Sequence, residues 1–321
     1  MYTEGINPTN CPAMILVHTP SPKEVSAYLE LFQAAMPEQA FVSLEQATPD
    51  EVRYLIAWGL PDGIIARLPR LQAMFALGAG VDKLLSRQDL PVNLPLYRLL
   101  DSGMANQMTE YIRYGVLGYQ RNMDVYRRQQ ATGQWRMLAP RLPEDVRVGI
   151  LGLGEIGSAV AKALARDGYP VSGWSRGPKH IHHVHSLHGE AGLEKLLETS
   201  DVIASVLPST PQTQGLLNGA RLSLMQPGSM LINAGRGDLL DQDALLALLN
   251  NGHIRCAQLD VFAEEPLPHG HPLWHHPSVT ITPHVAAITL RQQAVEQIVG
   301  NLRKLAAGLQ AEGRVERAQG Y

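Results

Sequence analysis

Three side chains of different chemistry stand at or just beyond the ends of apolar, strand-like runs: Arg236 after Ser229 to Ala234, Glu265 after Cys256 to Phe262, and His284 after Val279 to Thr282. A guanidinium is a planar fork that can grip two oxygens at once, such as those of a carboxylate and a neighbouring carbonyl. An imidazole, with an unperturbed pKa of about 6.5, gives and takes a proton near neutrality. A carboxylate beside it favours the protonated ring and fixes its orientation. Asp260, at the end of its own run, is a further acid able to tune that proton network. Taken singly, each residue has an ordinary alternative: Arg236 could pair with Asp238, Glu265 could be a solvated loop charge, and His284 could cap a strand. Taken together, they would supply a cation able to grip an anion, a group that exchanges a proton near neutrality, and carboxylates able to orient it.

A second constellation binds rather than reacts. Val146 to Leu151 is a strand-like run leading into Gly152-Leu153-Gly154-Glu155-Ile156-Gly157, followed by an alanine-rich helical stretch to Arg166 and a second apolar run, Pro170 to Trp174. A GxGxxG between strand and helix is the dinucleotide fingerprint: the first glycine turns the chain, the second admits the pyrophosphate, and the third lets helix and strand pack. The phosphates then meet the positive end of the helix. At the end of the second strand an NAD enzyme places a carboxylate on the adenine ribose. This chain offers Ser175, Arg176 and Lys179 instead, groups that bind a 2′-phosphate, so the chemistry favours NADP(H), with NAD(H) as the alternative. A further glycine-rich turn, Gly78-Ala79-Gly80-Val81-Asp82, follows the run Leu71 to Leu77 and opens a helix. Its backbone N–H groups suit a carboxylate, although a plain strand-to-helix turn has the same composition.

The elements that must position these groups are legible as a repeated alternation. Met14 to Thr19, Tyr54 to Trp58 and Leu71 to Leu77 read as strands, with Lys23 to Ala35 as an amphipathic helix. Thr109 to Gln130 reads as one helix, and Gly133 to Asp145 as a proline-containing linker. From Val146 onward, six apolar runs alternate with helical stretches, including Asp201 to Leu207 and a helix from Asp241 to Asn251 capped by Asp241 and stopped by Gly252. Thr289 to Leu309 closes the chain as a long helix. That order predicts parallel sheets covered on both faces, an α/β fold of two doubly wound domains. The 321 residues exceed one core of usual size. The expected division is a substrate domain of residues 1–105 and 286–321 and a cofactor domain of residues 106–285.

Composition narrows the partners. With 45% hydrophobic and 18% charged residues and a net charge of −3, the chain has no basic footprint for nucleic acid or an anionic membrane. No run reaches the roughly 18 apolar residues of a span. Cys11 and Cys256 are the only cysteines, which favours a reducing compartment, so a cytoplasmic protein is expected. His180, His182, His183, His185 and His188 cluster, yet without accompanying cysteines or carboxylates they read as a solvated loop and edge strand, and no metal is expected. Trp58, beyond a strand of the first domain, could wall a pocket or simply pack.

Four motifs in register, Gly152 to Gly157, Asn233-Ala-Gly-Arg-Gly-Asp238, Leu259 to Pro266 and Thr282-Pro-His284, resemble the D-isomer-specific 2-hydroxyacid dehydrogenases, over nearly the whole chain. Leu77 to Asp82, Thr282 to Ala287 and Arg317 to Tyr321 bring it nearest to the branch that reduces glyoxylate to glycolate and hydroxypyruvate to glycerate. The resemblance implies a Rossmann cofactor domain, a flavodoxin-like substrate domain and a homodimer paired through the cofactor domain. It makes His284 the general acid, Arg236 the substrate clamp and Glu265, with Glu264 as the competing neighbour, the partner of His284. It extends the cofactor cradle to Leu207, Pro208, Ala234 and Asp260, and assigns the substrate carboxylate to Ala79, Gly80 and Val81 across a closing cleft. Two other functions keep the same fold: a dehydrogenase of a different D-2-hydroxy acid, and a nicotinamide-sensing binding protein, which has no need of a proton donor.

Overall fold

The computed structural model describes residues 14–317, so Cys11 and the end of the closing motif, Ala318 to Tyr321, lie outside the described residues. The chain forms two compact units; one runs up to Ser102 and resumes at Thr289, and the other is Gly103–Ile288.

The first unit begins with β1 (Met14–His18), α1 (Pro22–Ala35) and β2 (Phe41–Val42). It continues through β3 (Val52–Ala57), β4 (Ala73–Ala76), the single turn α2 (Asp82–Leu85) and β5 (Leu96–Tyr97). The strands pair in parallel in the order β2-β1-β3-β4-β5, the flavodoxin-like winding. On α1, Val25, Tyr28 and Phe32 recur at helical spacing and are buried. The strands β2 and β5 were not legible in the sequence, because two residues carry no period. The helix expected after Gly80 is only α2, four residues long.

The second unit opens with α3 (Met104–Gln120) and α4 (Met123–Ala131). These correct the single helix read from Thr109 to Gln130: Asn122 adopts a left-handed φ of 56°, which its short amide tolerates and an α-helix does not. After the linker come β6 (Val148–Leu151), α5 (Glu155–Arg166), β7 (Val171–Ser175), β8 (Val184–His188) and α6 (Gly189–Thr199). Then follow β9 (Val202–Ser205), α7 (Gly219–Ser223), β10 (Ser229–Asn233), α8 (Gln242–Asn250), β11 (Ile254–Leu259) and β12 (Val279–Ile281). The chain returns to the first unit as α9 (Arg291–Ala306), which packs on α1.

All seven strands of the second unit are parallel, in the order β12-β11-β10-β9-β6-β7-β8. From β6 the chain winds outward first to β8 and then, from β9, to β12, so the winding reverses between β6 and β9. Ligands of such sheets bind at the carboxyl ends of the strands beside that reversal. Both faces of the sheet are buried. Leu151, Ile203, Leu231 and Ala257 point into one core, and Ile150, Ala204, Ile232 and Cys256 into the other. That alternation explains why the strands read as continuous apolar runs rather than polar-apolar repeats. Each fully buried Ile or Leu contributes about 1.5–3 kcal/mol from removal of apolar surface from water. The Asp241 side chain accepts the Ala244 N–H at 2.9 Å and Gly252 has a φ of 78°, the start and stop read from the sequence for α8.

Candidate active site

The glycine-rich turn sits where β6 ends. Gly152 has a φ of 104°, a conformation that a side chain would strain, and its N–H donates to Trp174 O across to β7 at 2.9 Å. A Cβ on Gly157 would lie 1.8 Å from Gly152 O, so only glycine lets α5 approach the turn this closely. In front of Gly154 there is open space, with no atom within 4 Å of where a Cβ would project. The first-turn N–H groups of α5 face that space, with Glu155 exposed beside them. Leu153 is buried, Ile156 partly buried against the core, and Leu207 packs against Gly152. Ala234 is buried and Pro208 half-buried at the neighbouring strand ends. A tight turn, an open approach and a helix N-terminus fit a dinucleotide pyrophosphate.

Beyond β7 the Ser175 hydroxyl donates to Gly177 O at 2.9 Å and shapes the turn. Arg176 and Lys179 are exposed on it. The histidines that follow occupy the turn and the edge strand β8; the rings of His182 and His183 meet edge to face at 3.8 Å. Among the described residues no three His, Cys, Asp or Glu side chains converge as a metal set.

The candidate catalytic residues follow the ends of β10, β11 and β12. Arg236 leaves β10 three residues on. Asn233 Nδ2 donates to Arg236 O at 3.0 Å, and Arg236 Nη1 donates to Gly235 O at 2.9 Å. Asp238, weighed above as a partner for Arg236, accepts the Ser209 hydroxyl at 2.5 Å. After β11 the chain turns so that Glu265 Oε1 accepts the Phe262 N–H at 3.0 Å, which holds the carboxylate in place. Glu265 Oε2 lies 2.8 Å from His284 Nδ1. The pairing is with Glu265, not Glu264. A carboxylate on Nδ1 requires the proton to be there, and leaves Nε2, across the ring, for a ligand. The two side chains are 32% and 47% exposed, so the ring is reachable.

Asp260 is only 1% exposed. Its Oδ1 accepts the Thr282 hydroxyl at 2.6 Å and the Val285 N–H at 2.8 Å, and its Oδ2 accepts the Ala286 N–H at 2.8 Å. Its main-chain carbonyl accepts the His284 N–H, also at 2.8 Å. These bonds tie Asp260 to the loop that bears His284. Thr282 and Asn233 were not singled out from the sequence. Both sit inside the motifs that carry Arg236 and His284, the one signal that could have found them.

In the first unit, the turn Gly78–Val81 is described by itself. Leu77 O accepts the Thr289 hydroxyl at 3.1 Å, and Gly78 O accepts the Leu99 N–H at 3.1 Å. Ala79 and Gly80 are half-exposed and Val81 is buried. The Trp58 ring covers Gly78 and is itself 42% exposed.

Comparison with known proteins agrees with this arrangement. Residues 114–286 match the NAD binding domain of the D-isomer specific 2-hydroxyacid dehydrogenases. The glyoxylate/hydroxypyruvate reductase A of Yersinia enterocolitica is 40% identical, over 93% of this chain and 97% of the relative. That of Serratia proteamaculans is 44% identical, over 84% and 87%. Among solved structures, a D-isomer specific 2-hydroxyacid dehydrogenase from Xanthobacter autotrophicus in complex with NADPH and MES superposes with a TM-score of 0.93 at 38% identity, covering 97% of this chain and all of that one. The NADPH-dependent glyoxylate/hydroxypyruvate reductase of Sinorhizobium meliloti, in complex with NADP and sulfate, gives 0.90 at 31% identity, covering 96% and 100%. The resemblance drawn from the four motifs therefore holds, and the chain belongs to the D-isomer specific 2-hydroxyacid dehydrogenase family.

Proposed function

We propose that this enzyme reduces glyoxylate and hydroxypyruvate with NADPH, His284 acting as general acid. The observation that carries the reading is the Glu265–His284 pair, 2.8 Å apart and reachable, in the same unit as a glycine turn open to a pyrophosphate. When bound, the nicotinamide supplies the hydride that reaches the carbonyl carbon. The carbonyl oxygen then needs a proton, which His284 gives from Nε2 while Glu265 holds Nδ1. Arg236 grips the substrate carboxylate and the carbonyl oxygen and stabilises the charge that develops there. Ala79, Gly80 and Val81 offer N–H groups to the carboxylate. Gly152 to Gly157, with Leu207, Pro208 and Ala234, cradle the dinucleotide, and Ser175, Arg176 and Lys179 take the 2′-phosphate. NADH serves as the weaker donor.

The test is the initial rate of NADPH and NADH oxidation with glyoxylate, hydroxypyruvate and pyruvate. Fast NADPH turnover with the first two supports the reading. NADH preference breaks the phosphate assignment, and silence with every acid, despite tight cofactor binding, returns the protein to the sensor class.

The same unit is the one we read as pairing two copies. Tyr114, Leu117, Met123, Trp135, Met137 and Leu142 leave an exposed apolar surface on α3, α4 and the linker, of a kind that a second copy covers. Light scattering should give twice the chain mass, and Trp135→Ser with Met137→Ser should give monomers. The enzyme is read as cytoplasmic: Cys256 is a buried free thiol, and among the described residues no helix is long and apolar enough to cross a membrane.

A further inference from the structure

The backbone at His284 is unusual: its φ is 57°, in the left-handed region that costs a non-glycine residue about 1 kcal/mol or more. Such a conformation persists only when its surroundings impose it, and here the surroundings are the four hydrogen bonds made by Asp260. They end on residues 282, 284, 285 and 286, the loop on either side of the ring.

That clamp has an outer member. Tyr111, on α3, places its hydroxyl 2.7 Å from Thr282 Oγ1. The direction of this bond follows from proton counting. Asp260 receives two backbone N–H groups and one hydroxyl, the surroundings of a carboxylate with no proton to give. Thr282 must therefore donate its single hydrogen to Asp260, and Tyr111 must donate to Thr282. Nothing in this chain of bonds can be reversed without leaving a donor or acceptor unmatched. Tyr111 is itself tied from behind: Gln258 Nε2, from β11, donates to Tyr111 O at 3.1 Å, which joins α3 to the strand that Asp260 follows.

We propose that Tyr111 is a positioning residue for His284: by donating to Thr282 it locks the Asp260 clamp and so holds the left-handed backbone that aims the imidazole. The inference rests on the reading of His284 as the general acid. Burial pushes the Tyr111 phenol up to about 12, with Asp260 adding to the rise and the Thr282 bond opposing it, so the hydroxyl keeps its proton wherever the enzyme works. The titratable groups that act on it are Asp260, just after β11, and Tyr114 on its own helix.

Two readouts test the proposal, and one needs no turnover. In the cofactor-free protein, amide hydrogen exchange at Val285 and Ala286 should quicken about three- to tenfold in Tyr111→Phe, the loss of one net hydrogen bond, while the amides of β6 keep their protection. In the enzyme with NADPH, Tyr111→Phe should lower kcat by a similar factor and leave the cofactor Kd unchanged. Thr282→Val, which removes both bonds of the relay, should lower kcat further. Thr282→Ser, which keeps the hydroxyl, should recover most of that loss. Because Tyr111 acts through Thr282, the double variant should be no slower than Thr282→Val alone. Unchanged exchange at Val285 and Ala286 in Tyr111→Phe overturns the proposal, as do losses that multiply in the double variant. If Thr282→Val does not fold, the exchange measurement on Tyr111→Phe decides alone. A wild-type protein silent with every oxo acid defeats the proposed function, whereas the exchange result still reports separately on the clamp.

Discussion

Strand β11 has a carboxylate cluster at each end, and the two are built oppositely. At its start, Arg255 Nε donates to Asp124 Oδ2 at 2.9 Å and Nη2 donates to Asp124 Oδ1 and, at 3.0 Å, to Asn122. Arg128 adds a third contact to Asp124 at 3.2 Å, and the guanidiniums of Arg141 and Arg255 both lie over the Tyr119 ring. The Asp124 side chain is 6% exposed. At the other end, Glu265 and His284 also make a close acid-base pair, but both side chains remain open to solvent. In the cluster that joins α4 to the sheet, the carboxylate is covered and gripped by Arg255, itself 18% exposed, while Arg128 reaches it from the solvent side. In the cluster proposed to hand a proton to a visitor, both side chains stay reachable, and the bracing falls to Asp260 and Thr282.

The comparison breaks first at His284. His284→Ala should lower kcat/KM by about 10²- to 10⁴-fold, the usual worth of general acid catalysis, with cofactor Kd and thermal midpoint close to wild type. Arg255→Met should do the reverse. Removing one partner of a buried pair costs about 3–5 kcal/mol of stability, read from urea unfolding, while kcat per folded molecule stays at the wild-type value. The distinction fails if His284→Ala melts the protein or if Arg255→Met abolishes turnover with stability intact. Acid adds a sign to this. Burial alone would raise the Asp124 carboxyl, but the bonds and charges of Arg255 and Arg128 outweigh it and hold the group below the usual carboxylate range. Its contribution is therefore present above that range and lost as pH falls through the depressed value. Asp124→Asn should flatten the acid limb of the stability curve.

The sequence exposes these two clusters unequally. Arg236, His284 and the glycine turn stand out as candidates because they follow strand ends, where chain direction already implies a ligand, whereas Glu265 stands out only by its place before Pro266 in the motif that resembles the family. The parallel sheets are legible because both faces are buried and every strand is an apolar run. Asp124 and Arg255 are 131 residues apart, and a pairing of that range leaves no spacing to read. Tyr111 is hidden for the same reason, 171 residues from Thr282, in a helical pattern where an aromatic is ordinarily core. Asp260 is legible but its partners are not, since three of the four are backbone N–H groups that any sequence possesses. The break at Asn122 is not legible because no glycine or proline lies between Tyr119 and Gln130 to mark it.

Helix α3 bridges the two clusters, with Tyr111 near one and Tyr119 in the other, and alkaline pH separates them. Tyr111 titrates at about 12 in the folded chain against about 10 when unfolded, chiefly because burial disfavours the phenolate. A raised folded pKa contributes stability that is complete below about pH 10 and lost as pH rises through about 12, some 2–3 kcal/mol in all. Between pH 9 and 11 the stability of Tyr111→Phe should therefore fall less steeply than that of wild type. An equal fall in both proteins would mean that the Tyr111 hydroxyl is not held as described.

The smallest effect is expected where a charge is most exposed. Arg176 and Lys179 sit on an open turn after β7, so the 2′-phosphate contact proposed for them competes with water and salt, unlike the more covered Arg255 contact. Arg176→Ala should raise the KM for NADPH about tenfold and leave that for NADH unchanged, since one solvent-exposed charge-assisted bond is worth about 1–2 kcal/mol. Raising ionic strength should weaken NADPH binding to wild type and narrow the gap to the variant. A change of equal size with both cofactors would place Arg176 in the general architecture of the turn, beside Ser175 and Gly177, and leave the choice of cofactor to other residues.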